Sequence, residues 1–170
     1  MNDLRWPTLD DLDALGALMT RTAPPEFQDM NGHVNVRHHY GMHMDGAAQG
    51  FVESFDLGEG WLDRTGQSAF SVEHHITFHS EILVGHEVSV HLRMLGRSDK
   101  AMHAMTILLD RSTGKVASTL EYVEVYVDLT TRRATAMPEE LTKPLDALLE
   151  EHADLDWDLP RSRAMGTSRG

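Results

Sequence analysis

The residues best suited to chemistry lie in one short stretch, from Asp29 to Met44. Its sixteen residues include one aspartate, four histidines and two asparagines, and the stretch runs into a segment containing three glycines. A carboxylate beside a helix start can activate water or attack a carbonyl carbon, and the free N–H groups of that helix start can stabilise an oxyanion. Three interpretations are open: a metal site, a catalytic helix start and a solvated loop.

The histidine spacing gives only weak support to a metal site. His39 and His43 are four residues apart, so on a helix they would share one face, as two ligands of one metal do. The sequence has no H-E-x-x-H pattern and no cysteine, which excludes thiolate zinc sites. A solvated or subunit-facing histidine surface is the favoured interpretation, and no metal or other cofactor is predicted.

Composition limits the class of protein. The 170 residues suit a single domain, and 41% hydrophobic with 25% charged residues is typical of a globular chain. The net charge of −12 argues against a nucleic-acid partner, because a protein that binds nucleic acid needs a basic face. The N-terminal residues are too acidic, and their apolar run too short, for a signal peptide or a membrane span. We predict a cytoplasmic protein without nucleic-acid or membrane partners.

Apolar spacing predicts the helices of the N-terminal half. Residues 8–19 indicate a short helix with Thr8 as its N-cap, and residues 23–27 indicate an extended stretch because they contain two prolines. A long helix is predicted from residue 36 to residue 55, with Asn35 as its N-cap and one apolar face. Its three glycines each cost roughly 1 kcal/mol, so we expect another backbone to lie close against it.

After a break at residues 58–60, a period of two in the apolar residues replaces the helical period. Short turns separate four such runs, and short connections imply antiparallel neighbours. A last helix is predicted over roughly residues 138–152, and Pro144 is expected to kink or split it. The predicted strands cover residues 72–79, 87–94, 101–110 and 116–129.

Two stretches resemble one known family. Asp29 to Asn35, D-M-N-G-H-V-N, resembles the D-x-x-G-H-[VM]-N signature of the 4-hydroxybenzoyl-CoA thioesterase-like family, which has the hotdog fold. The segments 117–121, 127–133 and 137–138 resemble the last strand and exit of the same thioesterases. The variant D-x-N-G-H-x-N-V is similar to the subgroup associated with carnitine breakdown, whose members hydrolyse betainyl-CoA.

The resemblance implies an α+β hotdog fold, in which a curled antiparallel sheet wraps one long central helix, with short helices near both ends of the chain. The hotdog thioesterase domain covers residues 22–150. Residues 1–21 form an N-terminal helical extension, and residues 151–170 form a C-terminal tail. Hotdog sites usually form between two subunits, so a homodimer or homotetramer is implied.

The resemblance also assigns roles to residues. Asp29 acts as general base or nucleophile on the thioester carbonyl, and the backbone N–H of Val36, in the first helical turn, polarises the carbonyl oxygen. His33 and Asn35 shape the turn and hold Asp29 or the attacking water. His39 stands where a tyrosine is usual, so it is assigned to the substrate site and to the choice of acyl group.

Some positions depart from the family or stay open. Some relatives have a histidine seven residues after the aspartate and a tyrosine four residues before it. This chain has Val36 and Pro25 at those two positions, so a histidine-assisted mechanism there is excluded. The carboxylates of Glu121 and Asp45 need partners, and each belongs either to a structural network or to a second acid. Asp45, on the long helix, is counted with the substrate-binding residues.

The function that the resemblance implies is hydrolysis of an acyl-CoA thioester by water, without a cofactor. The alternatives are a non-catalytic acyl-CoA-binding protein of the same fold and a hotdog hydratase, which needs an aspartate and a histidine five residues apart rather than four. The basic turn residues are expected either to meet the phosphates of CoA or to be solvated only: Arg97, Lys100 and Arg111.

Overall fold

The computed structural model describes residues 5–55 and 59–167. Residues 1–4 of the predicted extension, Gly58 of the predicted break and residues 168–170 of the predicted tail lie outside these ranges. The elements within them are α1 (Leu9–Leu15), β1 (Met19–Thr22), α2 (Val36–Phe55), α3 (Glu59–Thr65), β2 (Gln67–Phe78), β3 (Glu87–Arg97), β4 (Ala101–Asp110), β5 (Lys115–Asp128), β6 (Arg133–Ala134) and α4 (Glu139–Ala153).

The strands form one antiparallel sheet in the order β1-β3-β4-β5-β2, and β6 pairs with the end of β5. Helix α2 packs on one face of this sheet, where Met42 joins a buried cluster with Val88, Val90 and Leu108. The sheet curls around α2, which confirms the predicted α+β hotdog fold. Because its strands bury apolar side chains against one helix, the sheet fixes where the start of that helix lies.

The close approach to α2 is made at two of its three glycines. A methyl group at Gly46 would lie 2.7 Å from the Val90 side chain, and one at Gly50 would overlap Leu18. A methyl group at Gly41 would meet nothing within 4 Å. Side chains of Val90 and Leu18 therefore make the close approach at Gly46 and Gly50, where another backbone was predicted.

The other face of the sheet is covered by the two ends of the chain. Leu12 of α1 is buried in one cluster with Trp157 and Leu159 of the C-terminal segment. The residues assigned to extension and tail thus pack together on the convex face. Strand β1 begins inside the segment assigned to the extension, because Met19 pairs with Val90 of β3.

Helix boundaries follow local signals closely. Thr8 caps α1 as predicted, since its hydroxyl oxygen accepts the Asp11 N–H at 3.2 Å. That helix is shorter than predicted because Gly16, with φ of +76°, ends it. Helix α4 continues past Pro144, so the predicted kink or split does not divide it.

Three short elements were not predicted: β1, α3 and β6. The predicted extended stretch at residues 23–27 instead contains one 3-10 turn, Pro25–Phe27, which begins with proline because its fixed φ suits a first helical position. Strand β2 starts five residues before the predicted start, since Gln67 to Ser71 also pair with β5.

Candidate active site

A tight loop brings the signature motif to the start of α2. The Asp29 N–H donates to the His33 carbonyl at 2.9 Å, and the Gly32 N–H donates to the Asp29 carbonyl at 3.1 Å. Gly32 has a φ of +90°, which residues with a side chain rarely adopt, so glycine is needed there. The Asn35 N–H donates to the Phe27 carbonyl at 2.9 Å and closes the base of the loop.

The first turn of α2 presents a free backbone donor. Asn35 caps the helix as predicted: its side-chain oxygen accepts the Arg37 N–H at 3.1 Å, and its carbonyl accepts the His38 N–H at 2.9 Å. The N–H of Val36 forms no hydrogen bond within residues 5–55 and 59–167. This donor lies at the positive end of a long helix, which suits a developing oxyanion.

The Asp29 carboxylate faces two neighbours within its loop. One oxygen accepts the Asn31 N–H at 2.7 Å, and the other lies 3.7 Å from Nδ1 of His33. The Asp29 side chain is 16% exposed, so it retains access to solvent. His33 thus lies near Asp29 without a hydrogen bond to it, its role in holding Asp29 stays a prediction, and one carboxylate oxygen is not used by the turn.

His39 and His43 are buried side by side under the first turns of α2, with 3% and 0% of their surface exposed. Nδ1 of His39 lies 3.0 Å from the Ser118 hydroxyl, and Nε2 of His43 lies 2.9 Å from the same hydroxyl. Nδ1 of His43 lies 2.9 Å from the Thr106 hydroxyl. The prediction of a solvated or subunit-facing histidine surface is wrong, because β4 and β5 bring two hydroxyls that satisfy these rings.

The second ring nitrogen of His39 stays available. Nε2 of His39 forms no hydrogen bond with a described residue. Among the described residues, the Tyr122 hydroxyl is the one side-chain polar atom both sealed from solvent and unbonded. Nε2 of His39 is therefore not sealed, and the edge of the His39 ring contacts Phe78, an exposed residue of β2, with ring centroids 5.5 Å apart.

Burial keeps both histidines neutral. It lowers the pKa of His39 to about 4 and the pKa of His43 to about 3, because an imidazolium ion would lose its hydration there. A neutral imidazole carries one N–H and one free lone pair. The network therefore offers hydrogen bonds and no charge at neutral pH.

These pKa values predict an acid-sensitive fold. The unfolded chain takes up protons on both histidines near pH 6.5, whereas the folded chain excludes them until about pH 4 and about pH 3. The unfolded state therefore binds more protons in this window, and stability falls as pH falls, by about 1.4 kcal/mol per histidine per pH unit. Chemical denaturation at about pH 7 and about pH 5 should show a smaller loss for His43→Gln than for wild type. Equal losses would exclude His43 as a contributor.

The two carboxylates left open by the sequence have different surroundings. Glu121 is buried on the convex side, where it lies 2.8 Å from Nε2 of His103 and accepts the Ser162 N–H at 2.6 Å. Of the two alternatives for Glu121, a structural network or a second acid, these contacts are those of a structural network. Asp45 is exposed and pairs with Arg21 at 3.3 Å. It lies roughly 13 Å along the helix from the free N–H of its first residue, and its contact with substrate stays a prediction.

Two of the basic turn residues are engaged within the chain. Arg97 forms a two-pronged pair with Asp146, and Arg111 contacts Asp13 at 2.6 Å. Lys100 is exposed. The phosphates of CoA would have to compete with carboxylates at Arg97 and Arg111.

Sequence reasoning missed a second group of polar side chains on the sheet face under α2. Tyr40 contacts His74 of β2, and Tyr122 and Glu124 follow on β5. Glu124 was overlooked because its apolar neighbours in sequence hide the alternation of faces. The available signal was its spacing: it lies two residues from both Tyr122 and Tyr126, which belong to the core under α2.

No group of three or more histidine or acidic side chains suited to a metal ion occurs in residues 5–55 and 59–167. In the same ranges, no helix is long and apolar enough to cross a membrane.

Known sequences with similarity to this chain include thioesterases. Residues 23–145 match the sequence profile of the thioesterase-like superfamily. The chain is 26% identical over 160 residues to the L-carnitine dehydrogenase/betainyl-CoA thioesterase of Rhizobium meliloti (strain 1021), an alignment that covers 93% of this chain and 32% of that protein. It is 28% identical over 131 residues to the betainyl-CoA thioesterase of Pseudomonas aeruginosa, covering 77% of this chain and 82% of that protein. The chain thus spans about a third of the length of the two-function relative.

A solved structure confirms the architecture. A protein from Staphylococcus aureus, solved in complex with CoA, matches this chain with a TM-score of 0.77 and 23% identity, over 89% of this chain and 94% of that one. At this identity the likeness establishes the fold.

Proposed function

The chain belongs to the thioesterase-like superfamily, and from this we propose that it hydrolyses acyl-CoA thioesters to a carboxylate and CoA. The observation that carries the proposal is the free N–H of Val36 at a helix start, beside a loop that holds the Asp29 carboxylate. A free donor and a carboxylate in neighbouring segments are the two groups that addition of water to a carbonyl carbon requires. Curated relatives named for betainyl-CoA thioesterase activity support the same reaction.

The proposed chemistry uses few groups. The Val36 N–H donates to the thioester oxygen, which becomes an oxyanion when the carbonyl carbon is attacked. Asp29 either removes a proton from the attacking water or itself attacks to form an anhydride, which water then opens. The carbon–sulfur bond breaks, and the CoA thiolate takes up the proton that water released. His33 and Asn35 hold this arrangement, and we propose that Nε2 of His39 faces the acyl group.

Hydrolysis of a thioester panel with a thiol-trapping dye tests the function. Betainyl-CoA comes first, because two relatives are named for it; short, branched and aromatic thioesters follow. We expect turnover that persists in the presence of a chelator, because the proposed chemistry uses no metal. Tight binding without turnover would support the non-catalytic acyl-CoA-binding alternative instead. Turnover that a chelator abolishes and a divalent ion restores would contradict the proposed chemistry.

We also propose a homodimer or homotetramer, built through the edge of β2. This strand pairs with β5 on one side, and no described strand pairs with its other side. Phe70, Val72 and Phe78 expose 43%, 50% and 46% of their surface on this edge strand. A long apolar edge strand invites pairing with another chain. The cytoplasmic location stays a prediction.

A further inference from the structure

A line of polar and aromatic side chains lies between the first turns of α2 and the β2–β5 side of the sheet, next to the buried His39. The hydroxyl of Tyr40, one turn beyond Val36, lies 2.9 Å from Nδ1 of His74. The His74 ring meets the Tyr122 ring edge to face, with centroids 6.1 Å apart. These three rings form a contiguous wall that starts beside the proposed oxyanion donor.

The Tyr122 hydroxyl has no protein partner. Tyr122 is 4% exposed, and its hydroxyl forms no hydrogen bond within the described residues. A buried hydroxyl without a partner costs about 1–3 kcal/mol, so a fold that retains it needs a compensating use. Burial and the nearby charge of Glu124 both raise the pKa of Tyr122, so the hydroxyl stays protonated.

Glu124 adds a carboxylate to the same face. It lies two residues after Tyr122 on β5, so both side chains lie on the sheet face under α2. One Glu124 oxygen accepts the Ser71 hydroxyl at 2.9 Å, and none of the described cationic side chains forms an ion pair with it. Burial raises its pKa, and the Ser71 bond opposes that rise. A carboxylate in this position lacks a positive partner.

We propose that Tyr40, His74, Tyr122 and Glu124 form a binding site for the positively charged end of the acyl group, and that Glu124 determines this specificity. The proposal rests on the proposed thioesterase function and adds the residues that select the substrate. Aromatic faces attract a quaternary ammonium ion, and a carboxylate nearby supplies the opposite charge. A quaternary ammonium group has no N–H to donate. Ring faces and a carboxylate therefore suit it better than a set of hydrogen-bond acceptors does.

Charge can be tested without changing shape. Betainyl-CoA and tert-butylacetyl-CoA differ only by a nitrogen cation in place of a neutral carbon. A second pair with a longer methylene spacer tests how far the cation must extend from the carbonyl carbon to meet the proposed site. We expect wild type to favour the cationic member of at least one pair in kcat/KM. Glu124→Gln should lower that preference at least about tenfold, chiefly through loss of the cationic substrate. An unchanged ratio in Glu124→Gln would overturn the proposal.

Glu121→Gln is the matched control. It neutralises a second buried carboxylate three residues away on the same strand, but on the convex face beside His103. We expect Glu121→Gln to lower Tm without changing the substrate ratio. Equal changes of the ratio in both variants would mean that lost stability, and not the proposed site, explains the effect.

Tyr122→Phe gives an independent readout. If the oxygen of this hydroxyl faces the cation, its removal lowers the cationic preference while Tm stays level or rises, because an unsatisfied buried hydroxyl is gone. A lowered Tm with an unchanged preference would make Tyr122 structural and count against the site. If no thioester is hydrolysed by wild type, the proposed function fails; binding of non-hydrolysable ketone analogues of the same pairs then still decides whether the proposed site selects a cation.

Discussion

Asp29→Asn is expected to lower kcat on the preferred thioester at least about 100-fold, the low end of what a positioned acid or base contributes. Asparagine keeps the side-chain oxygen that accepts the Asn31 N–H, so the loop should persist. It cannot accept a proton from water or attack as a carboxylate. Binding should survive, because the proposed carbonyl donor is the backbone N–H of Val36. Turnover, inhibition by a substrate analogue and Tm are measured together.

Asp128→Asn is the matched control for this prediction. Asp128 caps another turn in the same way, by accepting the Thr130 and Thr131 N–H groups at 2.9 Å and 2.7 Å. The control should leave kcat unchanged. Near-normal turnover in Asp29→Asn would make Asp29 a turn residue only. A loss of turnover that merely follows a fall in Tm would point to the same structural role.

Val72→Lys is expected to separate the subunits and to remove most of the activity. Val72 lies at a bulge of the β2 edge and is half-exposed in the single chain. A lysine on an edge strand opposes pairing, since its charge would be buried against the neighbouring chain. The family resemblance implies a site formed between subunits, and on that proposal dissociation should lower kcat/KM at least about tenfold, the scale of one or more lost interface contacts.

Sedimentation and activity measured over a dilution series check this prediction. Leu62→Lys is the control, since Leu62 is similarly exposed but lies on α3. We expect Leu62→Lys to keep the assembly and the activity. A wild-type chain that is a stable, active monomer at all concentrations would refute the proposed dimer, and so would a fully assembled Val72→Lys variant.

The sequence by itself determined the central helix and the signature loop. The start of this helix at Val36 was predicted to the residue because Asn35 caps it, and the apolar period that predicts its length is local information. The positive φ of Gly32 and the short contacts around Asp29 also involve residues close in sequence. Local backbone chemistry of this kind is readable without a fold.

The tertiary structure alone decided which faces are buried. His39 and His43 share a helix face by their spacing, but the hydroxyls that make that face an interior one come from Thr106 and Ser118, more than sixty residues away. A helical period shows which residues lie together and not what will cover them. The histidine surface was therefore wrongly predicted to be solvated or subunit-facing.

The carboxylates of β5 show the same limit most clearly. Glu121 and Glu124 lie three residues apart among apolar neighbours, so the sequence drew attention to Glu121 alone. Both faces of this strand are buried: one by α2, and the other by α1 with Trp157 and Leu159. When both faces of a strand are apolar, alternation no longer marks the core side. Only the packing of distant segments put Glu121 in a structural network on the convex face and Glu124 on the face under α2.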